Sequence, residues 1–433
     1  MTGTPAHARK PRRPFPSLIF LGLMTAMGGA APGISFAQSD AERIRALERK
    51  LEQSLKTIEN MGARLKEVET RTTPGPDVSP AAPPAEQHEH ERRTSEAGVA
   101  APQAPTLLKG FADVGANFSG NRGNKGFIDG SLDFYLTPQL SSNVKSVIEL
   151  VFEHDKTKGE LAADLERLQV GYAFSNAATV WLGRFHTPLG YWNTAFHHGQ
   201  QLQTSVLRPQ MIDFEDAGGV IPAHTVGVWG AGAMHAGDGR LSYDIFVGNS
   251  PSINANVLDP NNSGKTQPGY SSGFNLGYLF GGSADGIKTG IHGYRAVVRD
   301  DAPVANVTRV NILGGYAALD SPAWELIAEY YALRNDDLSG GTGRHGSWTG
   351  FAQLGYRVER WTPFVRLEKA ALNQADNYFA ALATGRAYSR QALGLRYDLT
   401  PNSALKAELN HTVAEAAPTV SFNQLLTQWA IRF

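Results

Sequence analysis

The chain of 433 residues contains no cysteine. For an exported protein this excludes a disulfide framework, and it removes any thiolate metal site, so stability must come from an extensive hydrogen-bonded structure. Net charge is also lacking: 40 Lys and Arg against 41 Asp and Glu leave −1 at neutral pH, which gives no global attraction to nucleic acid. Uninterrupted apolar runs of about 20 residues, the length a spanning helix needs, are missing too. The mean hydropathy of −0.28 is too polar for a helical membrane protein. What the chain does have is 46 glycines together with 7 Trp, 14 Tyr and 20 Phe, a composition suited to a barrel with one apolar and one wet surface.

The first segment reads as a secretory signal peptide over residues 1–37. Arg9, Lys10, Arg12 and Arg13 precede an apolar stretch from Phe15 to Met27, Gly28, Gly29, Pro32 and Gly33 interrupt it, and Ser35-Phe36-Ala37 supplies small residues before a cut near Gln38. Residues 38–70 hold four heptads. Ile44, Leu51, Ile58 and Leu65 occupy one seam position and Leu47, Ser54, Met61 and Val68 the other, with charges elsewhere. A helix this short is marginal alone, so the pattern predicts a coiled coil with partners. Residues 71–105 are rich in Pro, Ala, Glu and Thr, lack large apolar side chains, and read as a disordered tether. His88 and His90 sit there among Glu86, Glu89 and Glu91, a solvated charged tract rather than a metal site.

From residue 106 to 433 the hydrophobic period becomes two. Ile128, Gly130, Leu132, Phe134 and Leu136 oppose Asp129, Ser131, Asp133 and Tyr135; Leu168, Val170, Tyr172 and Phe174 oppose Arg167, Gln169, Gly171 and Ala173. Later runs set Leu354, Tyr356 and Val358 against Gln353 and Arg357, and Leu393, Leu395 and Tyr397 against Arg390, Arg396 and Asp398. Charges survive on one face only if that face is wet, so the fold class is all-β, a transmembrane antiparallel β-barrel of about 16 strands. Connection lengths agree. Thr137-Pro138-Gln139, Ser175-Asn176-Ala177, Asp320 to Pro322, Glu359-Arg360 and Thr400-Pro401-Asn402 make short turns, while 186–224, 249–269, 335–346, 374–385 and 413–421 make long loops in the alternate slots. In transmembrane barrels the short turns are periplasmic and the long loops external.

The alternation Leu425, Thr427, Trp429, Ile431, Phe433 resembles the C-terminal recognition strand of Gram-negative outer-membrane barrels. The resemblance implies recognition of Phe433 by the barrel-insertion machinery and contact with outer-membrane lipid and lipopolysaccharide. Over the whole barrel the chain looks like the outer-membrane porin superfamily. The run Gly183-Arg184-Phe185-His186-Thr187-Pro188-Leu189-Gly190 is similar to the start of the third loop in the phosphate-selective porin family, and the added coiled coil is similar to that of sucrose porins. These resemblances imply a homotrimer in the outer membrane, a periplasmic N-terminal extension, and passive diffusion of small hydrophilic solutes or ions. They also imply a third loop, residues 186–224, folded inward as a constriction.

On that expectation the constriction comprises Arg184, His186, Tyr191, Trp192, His197, His198, Arg208, Asp213, Glu215, Asp216 and His224, with Arg184 and Arg208 facing the three carboxylates across an eyelet. Parity places Arg167, Arg357, Arg366, Arg390 and Arg396 on the lumen wall, and Asp129, Asp133, Glu149 and Glu153 on an acidic sector opposite. Glu368 and Asp398 interrupt the arginine sector, so some of these arginines are expected as neutralised pairs that stiffen the wall, and the sector suggests only a mild preference for anionic permeants; anchoring to the barrel wall is an equal reading of the loop's polar groups. Neither metal nor cofactor is expected, because adjacent histidines on extended backbone point to opposite sides. Two alternatives remain open: a structural protein tethering the barrel toward the cell wall, and an outer-membrane hydrolase assembled from Ser389, His345 and Asn373, for which neither a Gly-x-Ser-x-Gly elbow nor an ordered triad pattern is read. Changing Ile44, Leu51 and Ile58 together to Asp should abolish self-association of a peptide spanning residues 38–70, measured by analytical ultracentrifugation; a wild-type peptide that stays monomeric at high concentration would refute the heptad reading.

Overall fold

The computed structural model describes residues 107–433 except 120–124, 139, 156–159, 176, 197–198, 262–268 and 416–418. The expected signal peptide, coiled coil and tether lie outside the described residues, as do His197 and His198, and of Asp129 only the backbone is described.

Period-two alternation yields strands wherever it persists. The first seven are β1 (Leu107–Ser119), β2 (Gly126–Thr137), β3 (Val144–Asp155), β4 (Glu160–Ser175), β5 (Ala178–His186), β6 (His224–Ala236) and β7 (Gly239–Asn249). A small hairpin, β8 (Ser252–Asn254) and β9 (Val257–Asp259), interrupts the series. The barrel resumes with β10 (Tyr270–Leu279), β11 (Ile287–Arg299), β12 (Val307–Asp320), β13 (Trp324–Asp337), β14 (Arg344–Tyr356), β15 (Trp361–Ala371), β16 (Tyr388–Thr400), β17 (Ser403–Ala414) and β18 (Val420–Arg432). Each long strand pairs antiparallel with its neighbour, β7 pairs with β10, and β1 pairs with β18, so the 16 long strands close into a barrel.

Each strand separates two environments. Along β15, Trp361, Pro363, Val365, Leu367 and Lys369 are exposed while Thr362, Phe364, Arg366, Glu368 and Ala370 are buried. The outward set is what a lipid-facing wall requires, and the inward polar set lies in a lumen where water or protein must satisfy it. At the short-turn end, outward aromatics pair across strands: Trp324 with Tyr356 at 4.5 Å between ring centroids, and Trp361 with Tyr397 at 4.3 Å. Such amphipathic rings belong at a membrane interface.

Strand ends differ by a few residues, in both directions, from the runs of alternation in the sequence: β12, β15 and β16 stop short at the long-loop end of runs that alternation traces over 305–318, 361–373 and 386–399, whereas β4 and β18 extend past runs that start at 163 and 424. β4 begins at Glu160, and β18 begins at Val420, running through Ser421 and Asn423. Above the apolar belt both faces are wet, so hydrophobic alternation fades although the hydrogen-bonded ladder continues. The β8–β9 hairpin inside the 249–269 loop is likewise too short to show a period. It turns through Ala255 and Asn256, both at positive φ (51° and 65°) as a type I′ turn demands.

Closure depends on a close approach. The Gly110 and Phe433 backbones exchange hydrogen bonds at 2.9 and 3.0 Å, and the Phe433 ring lies edge-on to Phe134. A Cβ at Gly110 would meet the Phe433 ring at 2.5 Å and the Asp133 carbonyl oxygen at 2.7 Å. Gly110→Val should therefore overpack the seam by about 1–3 kcal/mol. Heat-modifiability gels should show a lower unfolding temperature for it; an unchanged transition would mean the seam is not tightly packed.

Candidate pore constriction

The longest connection, residues 187–223, leaves β5 and returns to β6, and its backbone meets inward side chains of strands on the far side of the barrel. Pro188 and Gly190 (φ 76°) turn the chain off the wall. There the amides of Tyr191 and Trp192 donate to the Glu329 carboxylate at 3.2 and 2.6 Å, Tyr331 donates its hydroxyl to the same group at 2.6 Å, and the Asn275 amide donates to the Gly190 carbonyl at 3.0 Å. A Cβ at Gly190 would collide with both Glu329 and Tyr331, so only glycine lets the backbone approach. The chain then forms one helical turn, α1 (Trp192–Ala195), with Trp192 fully buried against Phe351.

Residues 200–210 run down the wall of β13–β17. Lys406 donates to the carbonyls of Gln200 and Ser205, and Arg396 to those of Gln201 and Gln203 at 2.6 and 3.0 Å. Glu408 accepts from the amides of Val206 and Leu207 at 2.6 and 3.2 Å, and Arg366 donates to the Leu207 carbonyl at 2.9 Å. Thr204 donates to Glu325 at 2.7 Å, while Gln210 gives its amide to Glu368 at 2.9 Å and receives Arg390 on its side chain at 2.7 Å. Gln201 donates to the carbonyl of Pro401 at 3.1 Å, a residue of the β16–β17 turn, so the loop reaches the short-turn end. These partners satisfy the polar groups that the loop buries against the wall.

The returning limb makes a 3-10 turn at Gln210–Ile212 and packs on the loop between β15 and β16, whose helix α2 (Asn377–Ala381) sends the Tyr378 hydroxyl to the Val220 carbonyl at 2.6 Å. Glu215 secures the exit by accepting from the amides of Ala223 and His224, both at 2.8 Å, with His224 Nδ1 at 2.9 Å. His224 Nε2 lies 2.7 Å from Glu166, which is 3.2 Å from Arg184, and His186 lies 3.3 Å from Glu149, which also binds Arg167.

The sequence sets Arg208 across an eyelet from Asp213, Glu215 and Asp216, but the structure places it inside the loop. Only 3% exposed, Arg208 donates to the Ile212 carbonyl at 2.9 Å and to Asn193 at 3.1 Å, and its guanidinium covers the Phe214 ring at 4.2 Å. Glu215 is buried in the hinge, Arg184 is held on the wall by Glu166 and Asn261, and Tyr191 and Trp192 are core residues. Among the loop's named charges, Asp216 is exposed and the Asp213 side chain is 26% exposed. Partial burial raises the Asp213 carboxyl to about 6 against the pull of Arg208, 3.9 Å away.

The wall corrects the expectation of a separate basic sector. Arg357, Arg366, Arg390, Arg396 and Lys406 share the inward face of β13–β17 with Glu325, Glu329, Glu368, Asp398 and Glu408. Arg366, fully buried, bridges Glu368 at 2.9 Å and Glu408 at 3.3 Å, and Arg357 binds Asp320 at 2.6 Å and Glu325 at 3.3 Å. On the opposite sector Asp133 and Glu149 are fully buried and Glu153 is exposed. The loop's receivers, Glu325, Glu329, Lys406 and Glu408, are absent from the sequence-derived set. Their signal was charge at inward parity on otherwise apolar strands.

The hydrolase residues do not assemble. Asn373 lies 3.3 Å from His345, but Ser389 pairs with Lys369, whose partner on β14 is Gly350, about 16 Å of strand from His345. The expected absence of any Gly-x-Ser-x-Gly run is wrong as to sequence, since Gly269-Tyr270-Ser271-Ser272-Gly273 has that form. It leads straight into β10, and Ser271 is fully buried, donating to the Asn249 carbonyl at 2.9 Å, instead of standing on a strand-to-helix elbow.

No protein-family model matches the chain, and no curated protein matches it. Solved structures do. The anion-selective porin from Comamonas acidovorans superposes with a TM-score of 0.55 at 12% identity, covering 76% of this chain and 99% of that one. OmpF of Salmonella typhi, solved with daunomycin, gives 0.52 at 13% identity over 76% and 97%, and the outer membrane channel DcaP of Acinetobacter baumannii gives 0.50 at 12% identity over 77% and 100%. The barrel therefore has the porin fold.

Glu408 tests the loop's attachment. Glu408→Ala removes the acceptor of two loop amides and leaves Arg366 short of a partner, a change worth about 3–5 kcal/mol for a buried pair. Hydrogen exchange at Val206 and Leu207 should accelerate while the barrel amides stay protected; uniform protection would show that the loop holds without Glu408.

Proposed function

We propose that this protein is an outer-membrane channel for passive diffusion of small hydrophilic solutes or ions, with residues 187–223 narrowing its lumen. The observation that carries the reading is the gripping of that loop by inward side chains of β10 and β13–β17, which leaves a closed 16-strand barrel partly filled from one side. A barrel of this width otherwise encloses an aqueous channel. The outward apolar face, with Leu168, Val170, Tyr172 and Phe174 all exposed, supports insertion in a Gram-negative outer membrane with the short turns periplasmic. Heptads in the N-terminal region support a homotrimer, since closed symmetry suits both a coiled coil and a barrel.

Charge preference follows from which groups remain free of structural duty. The arginines behind the expected anion preference bind loop carbonyls and wall carboxylates, and five cations face five anions along β13–β17, so that preference loses its support. Of the named charges, Asp216 on the loop and Glu153 on the wall are exposed, and Asp213, 3.9 Å from Arg208, is 26% exposed; all three are acidic, and they favour a weak preference for cations.

Planar-bilayer reversal potentials in asymmetric salt test this. Asp213→Asn with Asp216→Asn should shift the potential toward anions, whereas Asp336→Asn with Asp337→Asn on an outer loop should leave it unchanged. Acidification from about pH 8 to about pH 5 crosses the Asp213 pKa of about 6, removes a negative charge, and should shift wild type in the same direction. A protein that gives no conductance steps contradicts the channel itself; equal effects of the two double variants contradict the loop's part in selectivity.

A further inference from the structure

His224, where the loop rejoins the wall, is held in a way that fixes its charge. The residue is 3% exposed, and both ring nitrogens meet carboxylates: Nδ1 lies 2.9 Å from Glu215 on the returning limb, and Nε2 lies 2.7 Å from Glu166 on β4. A neutral imidazole has one N–H and one lone pair, so one of these contacts would set a lone pair against an anionic oxygen. Only the imidazolium donates to both. The surrounding charges require the same. Glu149, Glu166 and Glu215 are all buried, and two guanidiniums meet them among the described residues, Arg167 on Glu149 and Arg184 on Glu166 at 3.2 Å. Buried carboxylates need counter-charges, so the cluster calls for a third cation, and His224 stands between the two carboxylates that have one arginine between them. His186 on β5, 5.6 Å from His224 between ring centroids, faces Glu149 at 3.3 Å, where Arg167 already supplies the charge. Arg208 approaches by way of Phe214, whose ring stacks on His224 at 6.2 Å between centroids and carries the guanidinium at 4.2 Å. Of the limb's other acids, Asp213 lies 3.9 Å from Arg208 and Asp216 is exposed.

We propose that His224 is a positioning residue whose second proton latches the returning limb to the wall, and that loss of this proton releases the limb. The limb carries Asp213 and Asp216, so the latch holds the acidic groups of the constriction in place. Without the proton, a lone pair faces a carboxylate oxygen at 2.7 or 2.9 Å and the buried cluster keeps one negative charge without a partner, so the limb moves off β4. A group that is charged only in the folded contact stabilises that contact at low pH, and the stabilisation is lost as pH rises. The constriction therefore loosens in base. The effect on conductance rests on the channel reading; the charge of His224 does not.

Nitrogen NMR of full-length protein carrying isotope-labelled histidine, refolded in detergent, reads the proton directly, with the His224 signals assigned by their loss in His224→Gln. At about pH 8 an ordinary histidine, titrating near about 6.5, is only about 3% charged. His224 should show both ring nitrogens protonated there, and a neutral ring overturns the proposal. Hydrogen exchange reads the latch. The Ala223 amide, which donates to Glu215, should exchange faster in His224→Gln than in wild type at one pH while barrel amides stay protected; equal protection overturns the latch whether or not the pore conducts. Planar-bilayer recordings read the consequence. Raising the pH from about 7 to about 10, a span that covers a histidine held by two carboxylates, should shift wild-type conductance upward, whereas His224→Gln should start high and change little. A rise of equal size in both proteins, or none in wild type, overturns the release. If His224→Gln does not fold, Glu166→Gln decides by the same readouts, since it should lower the charged fraction at about pH 8 and speed exchange at Ala223; an unchanged variant overturns the proposal. A charged ring and a variant-sensitive Ala223 in a protein that does not conduct would support the latch and strike the channel reading.

Discussion

A loop that crosses the inside of a barrel must find partners for its backbone there, and here charged side chains of the wall supply them. Arg366 shows how tightly the requirement binds. With no exposed surface, it meets two carboxylates, a loop carbonyl and the Gln353 side chain, so that its buried charge is compensated on every side. Removing a partner from such a group leaves charge stranded in a poor solvent. Wall and loop are therefore one unit while the loop is in place: it covers the wall charges and meets them with its backbone, and the loop cannot stay extended without the wall.

Other features follow from this constraint. Gly190 is needed because the loop starts pressed against Glu329 and Tyr331. Glu215 and His224 are buried because the exit must be held as firmly as the start. The aromatic lining of β11–β14, from Tyr294 through Tyr316 and Tyr331 to Phe351, packs on Tyr191 and Trp192 as an ordinary core. The two sides of the barrel wall thus obey different rules. Outside, the wall presents apolar side chains; inside, a folded segment demands hydrogen-bond partners one by one.

This division explains what could be read from the chain. The strands were legible because alternation between two environments writes itself into residues such as Trp361 to Ala371, and the 16 long strands fall where it predicts, with ends displaced by a few residues. The loop's position was legible from its length and its resemblance to other third loops. The duties of the charges were legible only in outline, in Glu368 and Asp398 interrupting the arginines and in anchoring as one use of the loop's polar groups. Parity puts Arg366, Arg390 and Arg396 in the lumen, but only the path of residues 200–210 reveals that they face backbone carbonyls and carboxylates instead of permeant. Arg208 misled for the same reason, since a charge within a loop can point into it as easily as out of it. The seam contact of Gly110 with Phe433 was hidden because the two residues are joined only when the barrel closes.

The central claim is that residues 187–223 obstruct a pore that the barrel alone would leave wide. Single-channel conductance of a variant lacking residues 199–207, the limb held by β16 and β17, tests it most directly. The account predicts a severalfold larger conductance with the β-rich circular dichroism spectrum and heat-modifiable band intact; a correctly folded variant with the conductance of the full chain would contradict it.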